Sequence, residues 1–288
     1  VGHGRGAIYG NIIAKFLKIQ GHNVTKEYYL NDRGNQIETL ASSVFAKIDS
    51  RWAYSEEEEL YQGEYIDIIA KNLEAQSQDI KFICDVYSGI IDEDETQALL
   101  PEIDEKYHKL KGSIVEMMIG MIKTPLEKLN IEFDNWFNES SMKSGEISEI
   151  LNKLEKSGHS FNKDGALMLK ADEPRVLIKS DGNFTYFLTD LTYHDLKMKE
   201  YDMVINIWGA DHHGYVPRMI AGLNALGHNT DKLDIHLIQF ANLFRGKEKV
   251  SMSTRKGEFV ELETLRKEIG NDAMNFFYLT KNKDQHLD

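Results

Sequence analysis

A histidine between glycines, at the start of a helical pattern, is the first group in the sequence that could do chemistry. Residues 1–10 read VGHGRGAIYG, and apolar residues at helical spacing follow as far as Gly21. The first turn of a helix has unpaired N–H groups, and glycines such as Gly2 let a phosphate approach the backbone closely. His3 could donate a hydrogen bond to a phosphoryl oxygen there. The alternative is a glycine-rich helix start with a purely structural histidine.

The segment WGADHHGY, residues 208–215, gathers polar groups at the end of the most apolar predicted strand. Ligand crevices commonly lie at such ends in parallel sheets. Gly209 would allow backbone contact with a sugar, and Asp211, His212 and His213 supply donors and acceptors. These three side chains are also ligand types for a divalent cation. Adjacent residues rarely point at one ion, however, so we predict no metal site.

A basic, glycine-flanked loop forms the third candidate, in and just before KVSMSTRKGEFV, residues 249–260. Such a loop could clamp a triphosphate and offset charge as pyrophosphate leaves. For this segment alone, a solvated basic loop is the favoured interpretation. Its basic residues are Arg245, Lys247, Lys249, Arg255 and Lys256.

Two carboxylates and a tyrosine form the fourth candidate. Tyr186 and Asp190 lie four residues apart in NFTYFLTDLTYH, across a predicted junction from strand to helix, and Glu139 follows IEFDNWFN. Carboxylates match a planar guanidinium with bidentate, charge-assisted hydrogen bonds, so these residues could bind a cation. Helix capping by Asp190 and surface exposure of Glu139 are the alternatives.

The elements that must position these groups alternate between helix and strand. Residues 38–123, in contrast, show long helical patterns. The sequence therefore predicts an α/β fold with a mainly parallel sheet, helices on both faces and a largely helical insertion. We predict helices at 4–20, 146–157, 190–200, 214–226 and 261–280, and strands at 24–32, 131–137, within 161–189, at 203–209 and at 233–240.

The composition limits the cellular location and the partners that we expect for the protein. The single cysteine, Cys84, excludes an intrachain disulfide, and no apolar run approaches membrane-spanning length. We therefore expect a cytoplasmic protein without membrane contact. The net charge of −13 disfavours nucleic acid at first sight. Residues 49–105 alone carry 17 acidic and three basic side chains, however, so the acidity is local to the insertion.

With these motifs in this order, the sequence resembles the catalytic domain of class I aminoacyl-tRNA synthetases, specifically that of bacterial arginyl-tRNA synthetases. VGHGRGAIYG is similar to the end of that family's H-V-G-H signature. Later matching blocks are YLNDRGNQ, FNESS, KSDGNFTYFLTDLTYH, WGADHHGYVPRM and KVSMSTRKGEFVELETL. The resemblance implies a Rossmann-like catalytic domain in two parts, residues 1–40, with its first strand missing, and 126–260. It also implies an insertion at 41–125 and a helical connection at 261–288 toward an absent anticodon-binding domain.

The resemblance implies an arginine–tRNA ligase that uses ATP as a substrate, with Mg²⁺ accompanying the ATP. Arginine and tRNA(Arg) are its expected partners, and we expect the protein to be a monomer. It assigns catalysis to His3, Lys249 and Arg255. It assigns ATP binding to Gly2, His3, Gly209, Asp211, His212, Met252 and Ser253, and arginine binding to Glu139, Tyr186, Asp190 and Asp211.

The sequence departs from the family pattern in one important place. The second lysine of the family's K-M-S-K-S loop is replaced by Thr254, and the upstream lysine thought to substitute for it in arginyl enzymes is not in the sequence. Two alternatives therefore stay open. One is a metal-dependent phosphoesterase that uses Asp211, His212 and His213, and the other is an inactive fragment that binds ATP or arginine without turnover.

Overall fold

The computed structural model describes residues 2–52, 59–91, 93–250 and 260–287, without the side chains of residues 93–95, 245 and 249. Its helices are α1 (Gly4–Ile19), α2 (Asn35–Ile48), α3 (Glu64–Gln76), α4 (Asp79–Tyr87), α5 (Glu93–Lys128), α6 (Ser144–Lys156), α7 (Tyr186–Glu200), α8 (Val216–Ala225), α9 (Leu262–Ile269) and α10 (Asn271–Leu279). Its strands are β1 (Glu27–Leu30), β2 (Asn135–Asn138), β3 (Ser160–Lys163), β4 (Ala166–Leu169), β5 (Arg175–Ile178), β6 (Val204–Gly209), β7 (Leu233–Ile238), β8 (Phe244–Arg245) and β9 (Glu248–Lys249).

These residues form two compact units. Within the described parts of the chain, unit 1 contains residues 30–133 and 243–271, and unit 2 contains residues 2–29, 134–242 and 272–287. Unit 1 is mainly helical, and its core is formed by α2 to α5 around fully buried side chains such as Phe45, Ile66 and Ile83. The helical patterns between 38 and 123 are therefore confirmed. The domain boundaries given above stay predictions.

Unit 2 contains the parallel pair β6 and β7, which run in register from Val204 opposite Leu233 to Gly209 opposite Ile238. Successive side chains of a strand point to opposite faces. On one face Ile207 packs against α1, where a Cβ on Gly10 would lie 3.1 Å from Ile207 Cγ1. On the other face Val204 joins the core formed with α6, α7 and α8. The predicted α/β fold with helices on both faces of a parallel sheet is confirmed.

The segment before α7 differs from the prediction. β3, β4 and β5 form an antiparallel sheet that ends at Ile178, and α7 begins at Tyr186. Strand structure continuing to residue 189 is therefore wrong. Thr185 caps the helix, because its side chain accepts a hydrogen bond from Leu188 N. The β-forming residues of FTYF suggested a strand, but this cap and the burial of the helix face decide for a helix.

Among the described residues, no helix combines the length and the apolar character that crossing a bilayer requires.

Candidate functional site

The histidine predicted at the helix start lies immediately before α1, at its N-cap position. Its ring packs edge-on against Phe240, with the ring centroids 4.9 Å apart. Desolvation lowers the pKa of His3, and the Asp211 carboxylate opposes that shift while the His212 ring adds to it. His3, Asp211 and His212 therefore lie close enough to interact, and the lowered pKa favours the neutral form of His3.

Sequence reasoning missed what anchors the start of α1. The Arg5 side chain is 1% exposed and donates hydrogen bonds to backbone carbonyls just after β7, in the last turn of α10 and in the segment that follows α10. The acceptors are the carbonyl oxygens of Tyr278, Gln239, Gln285, Lys281 and Asn282, at 2.7–3.2 Å. An arginine two residues after the histidine is the sequence signal, but its acceptors are too distant in sequence to predict.

Gly209 ends β6 beside the Phe240 ring that contacts His3. A Cβ at this position would lie 3.1 Å from Phe240 Cζ and would collide with Asp211 Oδ1. Any larger residue here would make Asp211 and Phe240 shift, because both side chains lie over the Gly209 backbone. We call His3, Gly209, Asp211, His212 and Phe240 the glycine cluster.

The residues after Gly209 form a 3₁₀ helix, Ala210–Tyr215, whose Asp211, His212 and His213 are exposed. His212 Nε2 lies 3.8 Å from Asp211 Oδ2, and its ring centroid lies 6.0 Å from that of Trp208. In the part of the chain that the structure describes, no three His, Cys, Asp or Glu side chains are grouped to hold a metal ion.

Asp190 lies next to this 3₁₀ helix. It is half-buried in α7, and Tyr215 Oη donates to its Oδ2 at 2.8 Å. Burial raises the pKa of Asp190, and the Tyr215 hydrogen bond, Lys197 and His212 act in the opposite direction. The Tyr215 ring centroid lies 6.4 Å from that of His212, so Asp190, the acceptor of the Tyr215 hydroxyl, is close to the glycine cluster. Tyr186 lies one helical turn earlier, on the same side of α7, and is exposed.

Glu139 is 5% exposed and begins a 3₁₀ helix, Glu139–Ser141, directly after β2. The alternative of a surface-exposed Glu139 is therefore wrong. A carboxylate with so little solvent contact needs a partner in the protein or in a ligand. Its part in cation binding stays a prediction.

Behind Asp190 lies a polar chain that the sequence analysis missed. His194 Nδ1 lies 2.7 Å from the Asp190 carbonyl oxygen, and its Nε2 lies 2.7 Å from Asn206 Nδ2. Asn206 Oδ1 in turn accepts from Lys197 Nζ at 3.2 Å. We call Asp190, His194, Lys197, Asn206 and Tyr215 the Asp190 network. An asparagine at an inward-facing position of the apolar strand MVINIWG is the signal that could have revealed it.

The predicted basic loop is only partly described. Its backbone enters through the β8–β9 hairpin, in which Phe244 pairs with Lys249. The side chain of Lys249 and the residues Met252, Ser253, Thr254 and Arg255 lie outside the described residues.

The geometry of unit 2 agrees with comparisons to known proteins. The model of the family "tRNA synthetases class I (R), catalytic domain" matches residues 1–287. The chain belongs to this family. The family resemblance seen in the sequence is thereby confirmed.

Relatives of known sequence agree. The chain is 40% identical over 307 residues to an arginine–tRNA ligase of Acidithiobacillus ferrooxidans. It is 41% identical over 320 residues to one of Coxiella burnetii. In both cases the match covers 100% of this chain and 53% of the relative, so the chain spans about half the length of these proteins.

Solved structures show the same family fold. The chain matches an arginyl-tRNA synthetase structure from Campylobacter jejuni with a TM-score of 0.80 and 31% identity, over 99% of this chain and 60% of that one. It also matches the arginyl-tRNA synthetase of Thermus thermophilus with a TM-score of 0.68. That match has 18% identity, covers 100% of this chain and 57% of the other, and supports the fold alone.

Proposed function

We propose that the chain is the catalytic domain of an arginine–tRNA ligase. It would join arginine to ATP as arginyl-adenylate, release pyrophosphate, and pass the arginyl group to the 3′-terminal adenosine of tRNA(Arg). The observation that carries this proposal is the half-buried Asp190 carboxylate, held by Tyr215 beside the glycine cluster. Family membership and the names of the relatives support it.

The glycine cluster would bind ATP. In the first step the carboxylate of arginine attacks the α-phosphorus in line and pyrophosphate leaves, so the protein contributes position and charge stabilisation. A neutral His3 would donate a hydrogen bond to the phosphates as charge builds on them. Gly2, whose carbonyl accepts from Ala241 N at 3.5 Å, would leave room for the phosphates. Gly209 and His212 would lie along the ribose and adenine.

Asp190 would bind the guanidinium of arginine, with Tyr186 and Glu139 as further side-chain ligands. Asp211, exposed beside His3, would accept from the α-amino group. The half-buried Asp190 carboxylate would reject neutral amino acids, because they would leave its desolvated charge without the matching guanidinium.

The basic loop would complete catalysis. On the family resemblance, we include Lys249 and Arg255 as the cations that offset charge on the leaving pyrophosphate. Met252 and Ser253 would contact ATP. Mg²⁺ would arrive with the ATP phosphates as part of the substrate.

The two alternatives differ in support. The named relatives are arginine–tRNA ligases, so a phosphoesterase based on Asp211, His212 and His213 gains nothing from them. An ATP- or arginine-binding fragment without turnover is separated from the main proposal by assaying this chain beside the full-length gene product.

The deciding experiment is aminoacylation by the full-length gene product, with each of the twenty amino acids and tRNA from its own organism. We expect charging with arginine alone, and charging with another amino acid instead would refute the proposal. Pyrophosphate exchange should require tRNA, as in the arginyl enzymes that the chain resembles. Exchange without tRNA would overturn that part.

Further proposals concern the setting. We propose a monomer in the cytoplasm, with the insertion at 41–125 inside a two-part catalytic domain. The buried thiol of Cys84, whose pKa burial raises to about 11, is consistent with a reducing compartment. Sedimentation of the purified protein would test the oligomeric state.

A further inference from the structure

The first half of α7 is braced by its own side chains. Three donors, each three or four residues further along the helix, bond to backbone carbonyls in this part of the helix. Thr189 Oγ1 donates to Tyr186 O at 3.0 Å, Thr192 Oγ1 to Leu188 O at 2.8 Å, and His194 Nδ1 to Asp190 O at 2.7 Å. Each such bond gives a carbonyl oxygen a second partner besides the helix's own N–H group. The two braces at Tyr186 and Asp190 lie on the residues proposed to bind arginine.

The bonds of Asn206 determine which nitrogen of His194 carries the proton. A lysine ammonium can only donate, so the oxygen of the Asn206 amide must face Lys197 and its NH₂ group must face His194. His194 Nε2 is therefore an acceptor. His194 Nδ1 must then hold the proton, which it donates to the Asp190 carbonyl.

The surroundings keep this ring neutral and fixed. His194 is 3% exposed and Asn206 is 5% exposed. Burial, and then the charge of Lys197, lower the pKa of His194 to about 3. The ring also contacts Trp208 edge-on, with centroids 5.8 Å apart. The His194 ring therefore adds no positive charge to that of Lys197 near the carboxylate that is proposed to receive a guanidinium.

Lys197 is itself held in place by the unit's core. Its Nζ lies 4.2 Å above the centroid of the Tyr193 ring, and Tyr193 Oη donates to the Glu27 carboxylate in β1. A continuous series of hydrogen bonds and one cation–π contact thus connects Glu27 in β1 with Asp190. A side chain bound at both ends cannot rotate without breaking a buried hydrogen bond.

We propose that His194 is a positioning residue for arginine recognition: its ring, oriented by Asn206, holds the Asp190 peptide carbonyl and so fixes the direction of the Asp190 carboxylate. This inference rests on the proposed function. It adds a residue that contacts neither ATP nor arginine to the determinants of amino-acid selection.

A matched pair of substitutions separates this role from simple packing. His194→Asn keeps an amide N–H near the place of Nδ1, whereas His194→Gln places its amide near Nε2 and loses the donor to Asp190. Both variants remove the ring, so both should lower the melting temperature to a similar extent. The measurement is the KM for arginine and for ATP, with kcat, in the full-length gene product.

We expect His194→Gln to raise the arginine KM roughly tenfold and His194→Asn to raise it less than about threefold, as for one hydrogen bond lost or kept. The ATP KM should change less than about twofold in both, because only the arginine side is displaced. Equal arginine KM values in the two variants, or a parallel rise in the ATP KM, would overturn the inference.

A measurement on the wild-type protein provides an independent check. The ¹⁵N chemical shifts of His194 should show the Nδ1–H tautomer between pH 6 and 8, a window around the ordinary histidine pKa of about 6.5. The Nε2–H tautomer or an imidazolium would refute the inference. Failure of the proposed function would instead be detected without any variant, because the wild-type protein would charge tRNA with an amino acid other than arginine.

Discussion

The glycine cluster and the Asp190 network lie side by side in unit 2 but are built in opposite ways. In the glycine cluster the chemistry-bearing side chains, His3, Asp211 and His212, are exposed, and the backbone at Gly209 carries no side chain of its own. In the Asp190 network, His194 and Asn206 are buried, and hydrogen bonds connect its five members into one chain. A charged phosphate needs access and backbone N–H groups, whereas selection of one cation needs a fixed, desolvated carboxylate.

The largest effect should come from neutralising the carboxylate. Asp190→Asn removes the charge in a half-buried position, so a bound guanidinium would be left without its ion-pair partner. The expected loss in kcat/KM for arginine is roughly 10²- to 10³-fold, from a cost of about 3–4 kcal/mol. The ATP KM should stay within about twofold. Asp202→Asn, on an exposed residue after α7, is the control. A comparable loss for ATP would remove the proposed division between the two regions.

The next effect should come from His3 and should have the opposite kinetic pattern. His3→Ala removes a neutral donor that is proposed to act as charge develops on the phosphates. We expect kcat in pyrophosphate exchange to fall by roughly 10²-fold with little change in the arginine KM. His22→Ala, an exposed histidine just beyond the other end of α1, should have wild-type kinetics. A raised arginine KM in His3→Ala would contradict the assignment.

A smaller effect should follow from adding a side chain at Gly209. Gly209→Ala places a methyl group against Phe240 and Asp211, which must shift. We expect a rise of roughly tenfold in the ATP KM from misplaced contacts. Gly214→Ala is a matched control in the same segment, because a Cβ there meets nothing within 4 Å. The prediction fails if both alanine variants bind ATP equally well.

The same contrast explains what could be predicted from the sequence. The glycine cluster depends on local signals, a Gly-His helix start and polar residues after an apolar strand, so His3, Gly209, Asp211 and His212 could be found by reading along the chain. The Asp190 network depends on contacts between residues distant in sequence. Asp190 and Tyr215 are 25 residues apart, and Lys197 lies near Glu27 only in the folded unit. Periodicity carries no information about such pairs.

The structure of α7 shows the same limit at the level of secondary structure. The aromatic and β-branched residues of FTYFL predicted a strand, yet Tyr186 begins a helix. The cap at Thr185 is a recognisable local signal, since threonine is a preferred N-cap residue. The burial of Phe187, Leu188 and Leu191, which stabilises the helix against α8 and its neighbours, could not be read without the fold.

The smallest predicted effect tests whether the Asp190 carboxylate is tuned by its neighbours. Tyr215→Phe removes one donor to Asp190, so the arginine KM should rise roughly three- to tenfold. Since the Tyr215 hydrogen bond lowers the pKa of Asp190, its loss raises that pKa further above the ordinary aspartate value. Asp190 then becomes protonated at a higher pH, and the acid limb of arginine binding should move upward.

The sign of that shift tests the role of Tyr215, because the variant keeps the other groups that act on the Asp190 pKa. Lys197 on α7 and His212 on the 3₁₀ helix still favour the ionised form in the variant, so the limb should move but not disappear. Calorimetric titration of arginine from pH 4 to 8, a range that brackets the ordinary carboxyl pKa of about 4, measures it, with Tyr61→Phe in unit 1 as the control. A limb that stays in place, or moves to lower pH, would show that Tyr215 does not stabilise the ionised carboxylate. The ionised form of Asp190 would then depend on its other neighbours, Lys197 and His212.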